Sequence, residues 1–326
     1  MSGQTRKKIS PGFFLLLIFS SGYHLSEAMG LERKTFTSLI CYALFLSFVC
    51  SSLGTLVEGL TPQKFGYIIG GSVVKPDDSE RHKYMVHMRR FVIDDATNAT
   101  QSIPWCAGTL ISEWHILTAA HCLFNDQGEL SNEMDVFLGV NAIPPNELVE
   151  LLYSTSIKRT ISSEGMLIHD EFNQMGWGEY DIAILKMNER VDLNENPGVS
   201  LINLPAECSN CTVDYEGKAA IAVGWGLTSS GGTSSPNMMQ VELTVNSNEE
   251  CEKQFNVTYN GEYQLCTIPS NTKGTCQGDS GGPMIADGIQ IGITSHGPQQ
   301  CEEGGVYTRV SAYINNGWIA SKMNAQ

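Results

Sequence analysis

The chain has 326 residues, of which 42% are hydrophobic and 17% charged, and its formal net charge is −15. Its 32 glycines and 12 prolines show no short period, so the composition excludes a collagen-like or a disordered protein. An acidic chain repels DNA and RNA, and we therefore expect no nucleic-acid partner. Ten cysteines favour an oxidising compartment over the cytosol.

Two apolar runs precede the globular part, at 13–19 and 36–57, and each follows a short basic cluster. This order is typical of a secretory signal. We interpret residues 1–28 as a gene-model extension or an upstream signal, and 29–57 as a signal peptide starting at Met29. A signal anchor is the alternative, because 36–57 is about long enough to span a bilayer. We expect secretion.

Three Asn-x-Ser/Thr sequons agree with an exported, glycosylated chain; they begin at Asn98, Asn210 and Asn256.

Short runs of β-branched and apolar residues recur between turn residues from 84 to 310, which predicts an all-β barrel or sandwich. Helical periodicity is weak except over 312–323. The stretch 188–205 predicts a connection between two β halves. The basic cluster between Arg81 and Arg90 predicts a solvent-facing strand at a sheet edge.

The stretch 278–282 (GDSGG) fits the pattern G-x-S-x-G, which an α/β-hydrolase matches equally well. That class needs an acid and then a histidine after Ser280, and the only downstream histidine is His296, 16 residues on. His121 and Asp181 lie upstream instead. The order His, Asp, Ser is that of chymotrypsin-like enzymes, so the α/β-hydrolase interpretation fails.

Residues 68–326 resemble the chymotrypsin (trypsin-like) family of serine proteases. The motifs that carry the resemblance are 68–71 (IIGG), 118–122 (TAAHC), 181–185 (DIAIL), 224–226 (GWG), 278–283 (GDSGGP) and 305–307 (GVY). The resemblance implies two six-stranded antiparallel Greek-key barrels, at about 68–190 and 200–310, with a short C-terminal helix and the active site between the barrels.

Peptide hydrolysis needs a base to activate a serine hydroxyl, and the resemblance gives this role to His121 and the nucleophile's role to Ser280. Asp181 would orient and stabilise the imidazolium. The main-chain amides of Gly278 and Ser280 would form the oxyanion hole. Ser295 matches the serine that hydrogen-bonds the buried aspartate and lines the substrate.

The family is made as a zymogen, and the resemblance makes Ile68 the new amino terminus, which would pair with buried Asp279. Residues 58–67 would be a short activation segment. Family members usually have Arg or Lys before the cut, whereas this chain has Tyr67. A trypsin-type activator is therefore in doubt, and self-activation is one hypothesis.

The resemblance places Gly274 at the base of the specificity pocket and Gly297 and Gly305 in its walls. An uncharged, open slot favours large apolar or aromatic residues before the cut bond. We interpret the nearby Glu302 and Glu303 as solvated, the alternative being attraction of basic side chains.

The resemblance pairs Cys106 with Cys122, Cys251 with Cys266, and Cys276 with Cys301. Cys208 and Cys211 then favour a local disulfide over half of a zinc site. The family's calcium loop carries acidic ligands where this chain has Val140 and Asn141, so we expect no metal and no cofactor.

The sequence thus predicts a secreted, monomeric serine endopeptidase that acts on proteins or peptides and is open to protein inhibitors. The alternatives are a catalytically silent homologue that only binds a partner, and a membrane-anchored protease with basic specificity.

Overall fold

The computed structural model describes residues 68–75, 80–94, 98–143, 156–173, 178–208, 213–255, 259–268, 273–298, 301 and 304–325. All of them belong to the unit Phe65–Gln326. The proposed leader and activation segments (1–28, 29–57 and 58–67) lie outside the described residues, as do Asn210, Cys211 and Asn256.

The described residues form two antiparallel sheets, which confirms the expected all-β fold. The first sheet has the order β6-β5-β2-β3-β4-β8-β7. Its strands are β2 (Met85–Asp94), β3 (Ala99–Ser112), β4 (His115–Thr118), β5 (Glu133–Leu138), β6 (Ile157–Ser162), β7 (Met166–Ile168) and β8 (Ala183–Lys186).

The second sheet has the order β1-β10-β9-β12-β13-β14-β11. Its strands are β1 (Ser72–Val73), β9 (Ala219–Gly224), β10 (Met239–Thr244), β11 (Gln264–Thr267), β12 (Pro283–Ala286), β13 (Ile289–His296) and β14 (Gly305–Arg309).

Each sheet contains seven strands, where the resemblance implied six. In the first sheet, β6 and β7 are two halves of one segment, separated only by the 3-10 turn Ser163–Gly165. This segment supplies both edges of the sheet, so the sheet curls round on itself. In the second sheet the additional strand is the two-residue β1, which pairs with β10.

Apolar side chains fill the interior of both barrels. In the first, β4 is buried along its whole length and pairs with β8, with Ile116 opposite Leu185 and Leu117 opposite Ile184. In the second, a separate cluster of buried residues includes Ile68, Met239, Met284 and Tyr307. Each fully buried aliphatic side chain contributes about 1.5–3 kcal/mol, so the two cores dominate the stability of the fold.

The basic cluster between Arg81 and Arg90 does not form a solvent-facing edge, so that prediction was wrong. Strand β2 is central, because it pairs with β3 on one side and β5 on the other. Arg90 is buried, and its guanidinium donates to both carboxylate oxygens of Asp126 at 3.0 and 2.9 Å. The same group lies 3.5 Å from the ring centroid of Trp105. The charge is buried because a carboxylate and an aromatic face compensate it.

Three α-helices lie in the described part of the chain: α1 (Asn248–Phe255), α2 (Val310–Asn315) and α3 (Trp318–Met323). The predicted C-terminal helix is therefore present as two helices, because Gly317 between them adopts φ +76°. None of the helices in the described ranges is long and apolar enough to cross a membrane.

A buried hydrogen bond connects the two sheets. Thr109 Oγ1 on β3 donates to Gln290 Oε1 on β13 at 2.7 Å, and both residues are fully buried. An unpaired buried acceptor costs about 1–3 kcal/mol. This bond therefore helps to hold one barrel against the other.

We expect Thr109→Val to lower the free energy of unfolding by about 1–3 kcal/mol, because Gln290 Oε1 loses its donor while side-chain volume is kept. Denaturant unfolding of a Ser280→Ala chain, which cannot digest itself if Ser280 is the nucleophile, measures the change. Thr109→Ser keeps the hydroxyl and is the matched control. Equal losses in both variants would contradict the hydrogen-bond explanation.

Candidate active site

His121 and Asp181 lie side by side because their elements are paired. His121 belongs to the 3-10 helix Ala120–Leu123, one residue after β4, and Asp181 lies two residues before β8 begins. The end of β4 pairs with the start of β8, with Thr118 opposite Ala183. The ladder therefore brings two residues 60 positions apart into contact.

Asp181 accepts two hydrogen bonds from His121. The ring Nδ1 lies 2.8 Å from Asp181 Oδ2, and the backbone N–H of His121 donates to Asp181 Oδ1 at 2.9 Å. Asp181 is 2% exposed, whereas the His121 side chain is 34% exposed. The buried carboxylate thus fixes an imidazole whose other edge remains accessible.

The second sheet also binds Asp181. Ser295 Oγ on β13 donates to Asp181 Oδ2 at 2.5 Å. Thr308 Oγ1 on β14 donates to the backbone oxygen of Asp181 at 2.8 Å. Sequence reasoning gave Ser295 but missed Thr308, which follows the motif 305–307 and carried no signal of its own.

Charge and burial oppose each other in this pair. Burial lowers the pKa of His121, but the charge and hydrogen bond of Asp181 outweigh it and leave the pKa above its ordinary value. Burial raises the pKa of Asp181, but His121 and the hydrogen bond from Ser295 outweigh it and leave the pKa below its ordinary value. Both shifts favour an ionised aspartate beside a more basic histidine.

Ser280 lies in the loop before β12, and its backbone contacts the first sheet. Its backbone oxygen accepts from Ala107 N–H on β3 at 2.8 Å. Gly281 has φ +76°, and a Cβ there would lie 2.3 Å from the Ala107 oxygen, so only glycine allows this approach. Among the described residues, Ser280 Oγ and His121 Nε2 form no hydrogen bond. Such contacts are often long without substrate and tighten when it binds.

The loop that carries Ser280 is built around Asp279. This carboxylate is fully buried and accepts from the N–H groups of Gly226 at 2.7 Å and Cys276 at 2.9 Å. Burial outweighs those two bonds and raises its pKa to about 7. No lysine, arginine or histidine in the described ranges forms an ion pair with it. Gly278 adopts φ +94° on the same loop.

The three glycines predicted for the specificity pocket all lie where a side chain would crowd the backbone or a neighbour. A Cβ on Gly274 would lie 2.6 Å from the Cys301 oxygen, and one on Gly297 would lie 2.9 Å from the Gly304 oxygen. A Cβ on Gly305 would lie 3.2 Å from Thr275 Oγ1. Thr275 is neutral, and its hydroxyl lies 3.2 Å from that of Tyr307. Glu302 and Glu303 lie outside the described residues.

The three disulfides implied by the resemblance are present: Cys106–Cys122, Cys251–Cys266 and Cys276–Cys301. The first joins β3 to the helix that carries His121, and the third joins the Ser280 loop to the segment before β14. Cys208 is also disulfide-bonded. Sulfurs of Cys106 and Cys122 lie near His121, but their bond to each other makes them unsuited to hold a metal ion.

Comparison with known proteins gives the family. The family model described as Trypsin matches residues 70–319. Chymotrypsin of Phaedon cochleariae is 30% identical over 66% of this chain and 70% of its own. Duodenase-1 of Bos taurus is 31% identical over 82% and 94%. A solved structure described as "Structure of GrC" superposes with a TM-score of 0.62 at 26% identity, covering 78% of this chain and 99% of its own.

The chain belongs to the trypsin family of serine endopeptidases. The two curled sheets are thus those of a peptide-bond hydrolase.

We expect Asp279 to contribute stability at about pH 4 that is lost as pH rises to about 7. The raised pKa of Asp279 lets the folded state keep a proton that the unfolded state releases near 3.8. The loss amounts to up to about 4 kcal/mol. Urea unfolding of the Ser280→Ala chain at several pH values measures it. Asp279→Asn should flatten this slope, and an unchanged slope would contradict the assignment to Asp279.

Proposed function

We propose that this protein is a secreted serine endopeptidase that cleaves peptide bonds through Ser280, His121 and Asp181, by way of an acyl-enzyme. The observation that carries the proposal is the Asp181–His121 pair, a buried carboxylate held at 2.8 Å from the ring of a partly exposed histidine. The family assignment supports the same roles.

The proposed chemistry follows from these positions. His121 Nε2 accepts the Ser280 hydroxyl proton as Oγ attacks the substrate carbonyl, and Asp181 stabilises the imidazolium that forms. The N–H groups of Gly278 and Ser280 donate to the developing oxyanion. His121 then gives its proton to the leaving amine, and water hydrolyses the ester on Ser280 by the same steps in reverse.

We expect Ser280→Ala to abolish hydrolysis of peptide anilides and Asp181→Asn to lower kcat by about 10⁴-fold. The acid limb of kcat/KM for the unmodified enzyme should lie above the ordinary histidine pKa, because Asp181 raises the pKa of His121. Asp181→Asn should move that limb to lower pH. The assay uses chain cut by an introduced protease site so that it begins at Ile68.

An acid limb unaffected by Asp181→Asn would contradict the proposed pairing. Absence of any hydrolysis by the folded, cleaved chain would favour the catalytically silent homologue. The observation that favours the catalytically silent homologue is that Ser280 and His121 form no hydrogen bond in the described part of the chain.

The proposed cleavage preference is for large apolar or aromatic residues before the cut bond. Gly274, Gly297 and Gly305 leave the pocket without side chains of their own, and the neighbouring hydroxyls of Thr275 and Tyr307 are uncharged. Similarity to a chymotrypsin supports this preference. Basic specificity is the alternative, and a preference for Arg anilides over Phe anilides would establish it.

We expect Gly305→Val to reduce kcat/KM for Phe anilides by about 10- to 100-fold while leaving Ala anilides near their original rate. A valine side chain would occupy space used by the aromatic ring, and losing that burial costs about 1.5–3 kcal/mol. Gly305→Ala is the graded control, because a single Cβ there meets only ordinary or slightly tight contacts. Equal losses for both substrates would place Gly305 outside the pocket.

Activation by cleavage between Tyr67 and Ile68 completes the proposal. Ile68 is fully buried in the second barrel, close in sequence to Ile69, whose oxygen accepts from Gly274 N–H at 3.1 Å. A free ammonium there would supply the positive charge that Asp279 lacks. Secretion and glycosylation are supported by the disulfides and by Asn98, which is exposed. The alternative of a membrane anchor rests on 36–57, outside the described residues.

A further inference from the structure

Ser295 and His296 are consecutive residues on β13, yet the Ser295 hydroxyl and the His296 ring nitrogen Nδ1 lie within 3.2 Å of each other. Side chains alternate between faces along a strand, so neighbours point in opposite directions. The pairing of β13 with β14 shifts between Thr294, opposite Tyr307, and His296, opposite Val306. A bulge of this kind leaves Ser295 as the additional residue and re-aims the side chains beside it.

The Ser295 hydroxyl contacts two groups at this bulge. Ser295 Oγ lies 2.5 Å from Asp181 Oδ2 and 3.2 Å from His296 Nδ1. A serine hydroxyl has one proton to give. Asp181 is held ionised by its donors and can only accept, so the proton of Ser295 goes to Asp181. Ser295 Oγ is left as an acceptor for His296, and Nδ1 of His296 must then carry a proton.

The backbone opposite makes room for this imidazole. Gly178 has φ +77°, and a Cβ there would lie 2.5 Å from His296 Nδ1 and 3.0 Å from Ser295 Oγ. Any side chain at 178 would push His296 off the serine. The glycine at 178 and the bulge at Ser295 therefore together allow the contact between His296 and Ser295.

We propose that His296 is a positioning residue for the catalytic pair, held as its Nδ1–H tautomer and donating to Ser295. The resulting chain of hydrogen bonds runs from His296 through Ser295 and Asp181 to His121. This inference rests on the proposed function, because it deepens the role of the same aspartate.

The hydrogen bond from His296 Nδ1–H orients the hydroxyl group of Ser295. With one lone pair of Oγ occupied by an N–H, the hydroxyl proton is kept on Asp181 Oδ2. Hydrogen bonds in such a chain polarise one another, so the bond to the carboxylate is strengthened in a site of low dielectric. The tautomer of a histidine is set by the hydrogen bond at its ring nitrogen, which makes the assignment measurable.

The first test reads the proton directly and needs no enzyme activity. ¹⁵N-histidine NMR of the full-length Ser280→Ala protein, at a pH where His296 is neutral, should show His296 protonated at Nδ1. The Nδ1 proton of His121, which lies between His121 and Asp181, should shift in His296→Phe and be restored towards its original position in His296→Asn. A His296 protonated at Nε2 would overturn the proposal.

The second test measures coupling in the cleaved enzyme. We expect His296→Phe to lower kcat by about three- to tenfold, the range of one net hydrogen bond, and His296→Asn to recover most of that loss. In a Ser295→Ala background, His296→Phe should change kcat little further, since its acceptor is gone. Additive losses in kcat, or no rescue by asparagine, would overturn the proposal.

The two tests separate the inference from the proposed function. If the cleaved enzyme proves inactive while His296 shows the Nδ1–H tautomer and the His121 proton responds, the hydrogen-bonded chain stands and the catalytic proposal fails. If the enzyme is active and the tautomer is the other one, the catalytic proposal stands and His296 has no positioning role.

Discussion

Burial of the Asp181 carboxylate is the constraint on which the rest of the site depends. A charged oxygen removed from water must find donors, or the fold loses several kcal/mol. Here the donors come from both sheets: His121 follows β4 of the first, and Ser295 lies on β13 of the second. The same carboxylate therefore orients the His121 ring and connects the two barrels.

Asp279 shows the opposite solution to the same problem. It is as deeply buried as Asp181, but it has two backbone donors and no histidine, and burial leaves its pKa raised rather than lowered. Two aspartates thus have pKa values shifted in opposite directions because their surroundings differ. Asp279 lies in the Ser280 loop, and its incompletely compensated carboxylate is the group that the proposed ammonium of Ile68 would pair with.

The class of fold could be predicted from the sequence, and so could the candidate residues of the site, but the contacts that hold those residues could not. Chain order separated His121, Asp181 and Ser280 from an α/β-hydrolase pattern, and the spacing of turns predicted the all-β class that the structure confirms. The buried Arg90 was not predicted, because charge in a sequence does not reveal a partner such as Asp126 that lies 36 residues away. The bulge at Ser295 was not predicted either, because a shift in strand pairing depends on two strands and leaves no pattern in the sequence of one of them.

The groups of the site lie close together because glycines let neighbouring segments approach one another. The backbone oxygen of Ser280 can accept a hydrogen bond from Ala107 N–H because Gly281 has no Cβ that would clash with the Ala107 oxygen. Gly178 allows a similarly close approach to the His296 ring. Side chains in these places would hold the barrels apart by a few tenths of an ångström or more, and a hydrogen bond as short as that of Ser295 to Asp181 leaves no such room. The absence of side chains at Gly281 and Gly178 therefore helps to set the positions of Ser280 and His296.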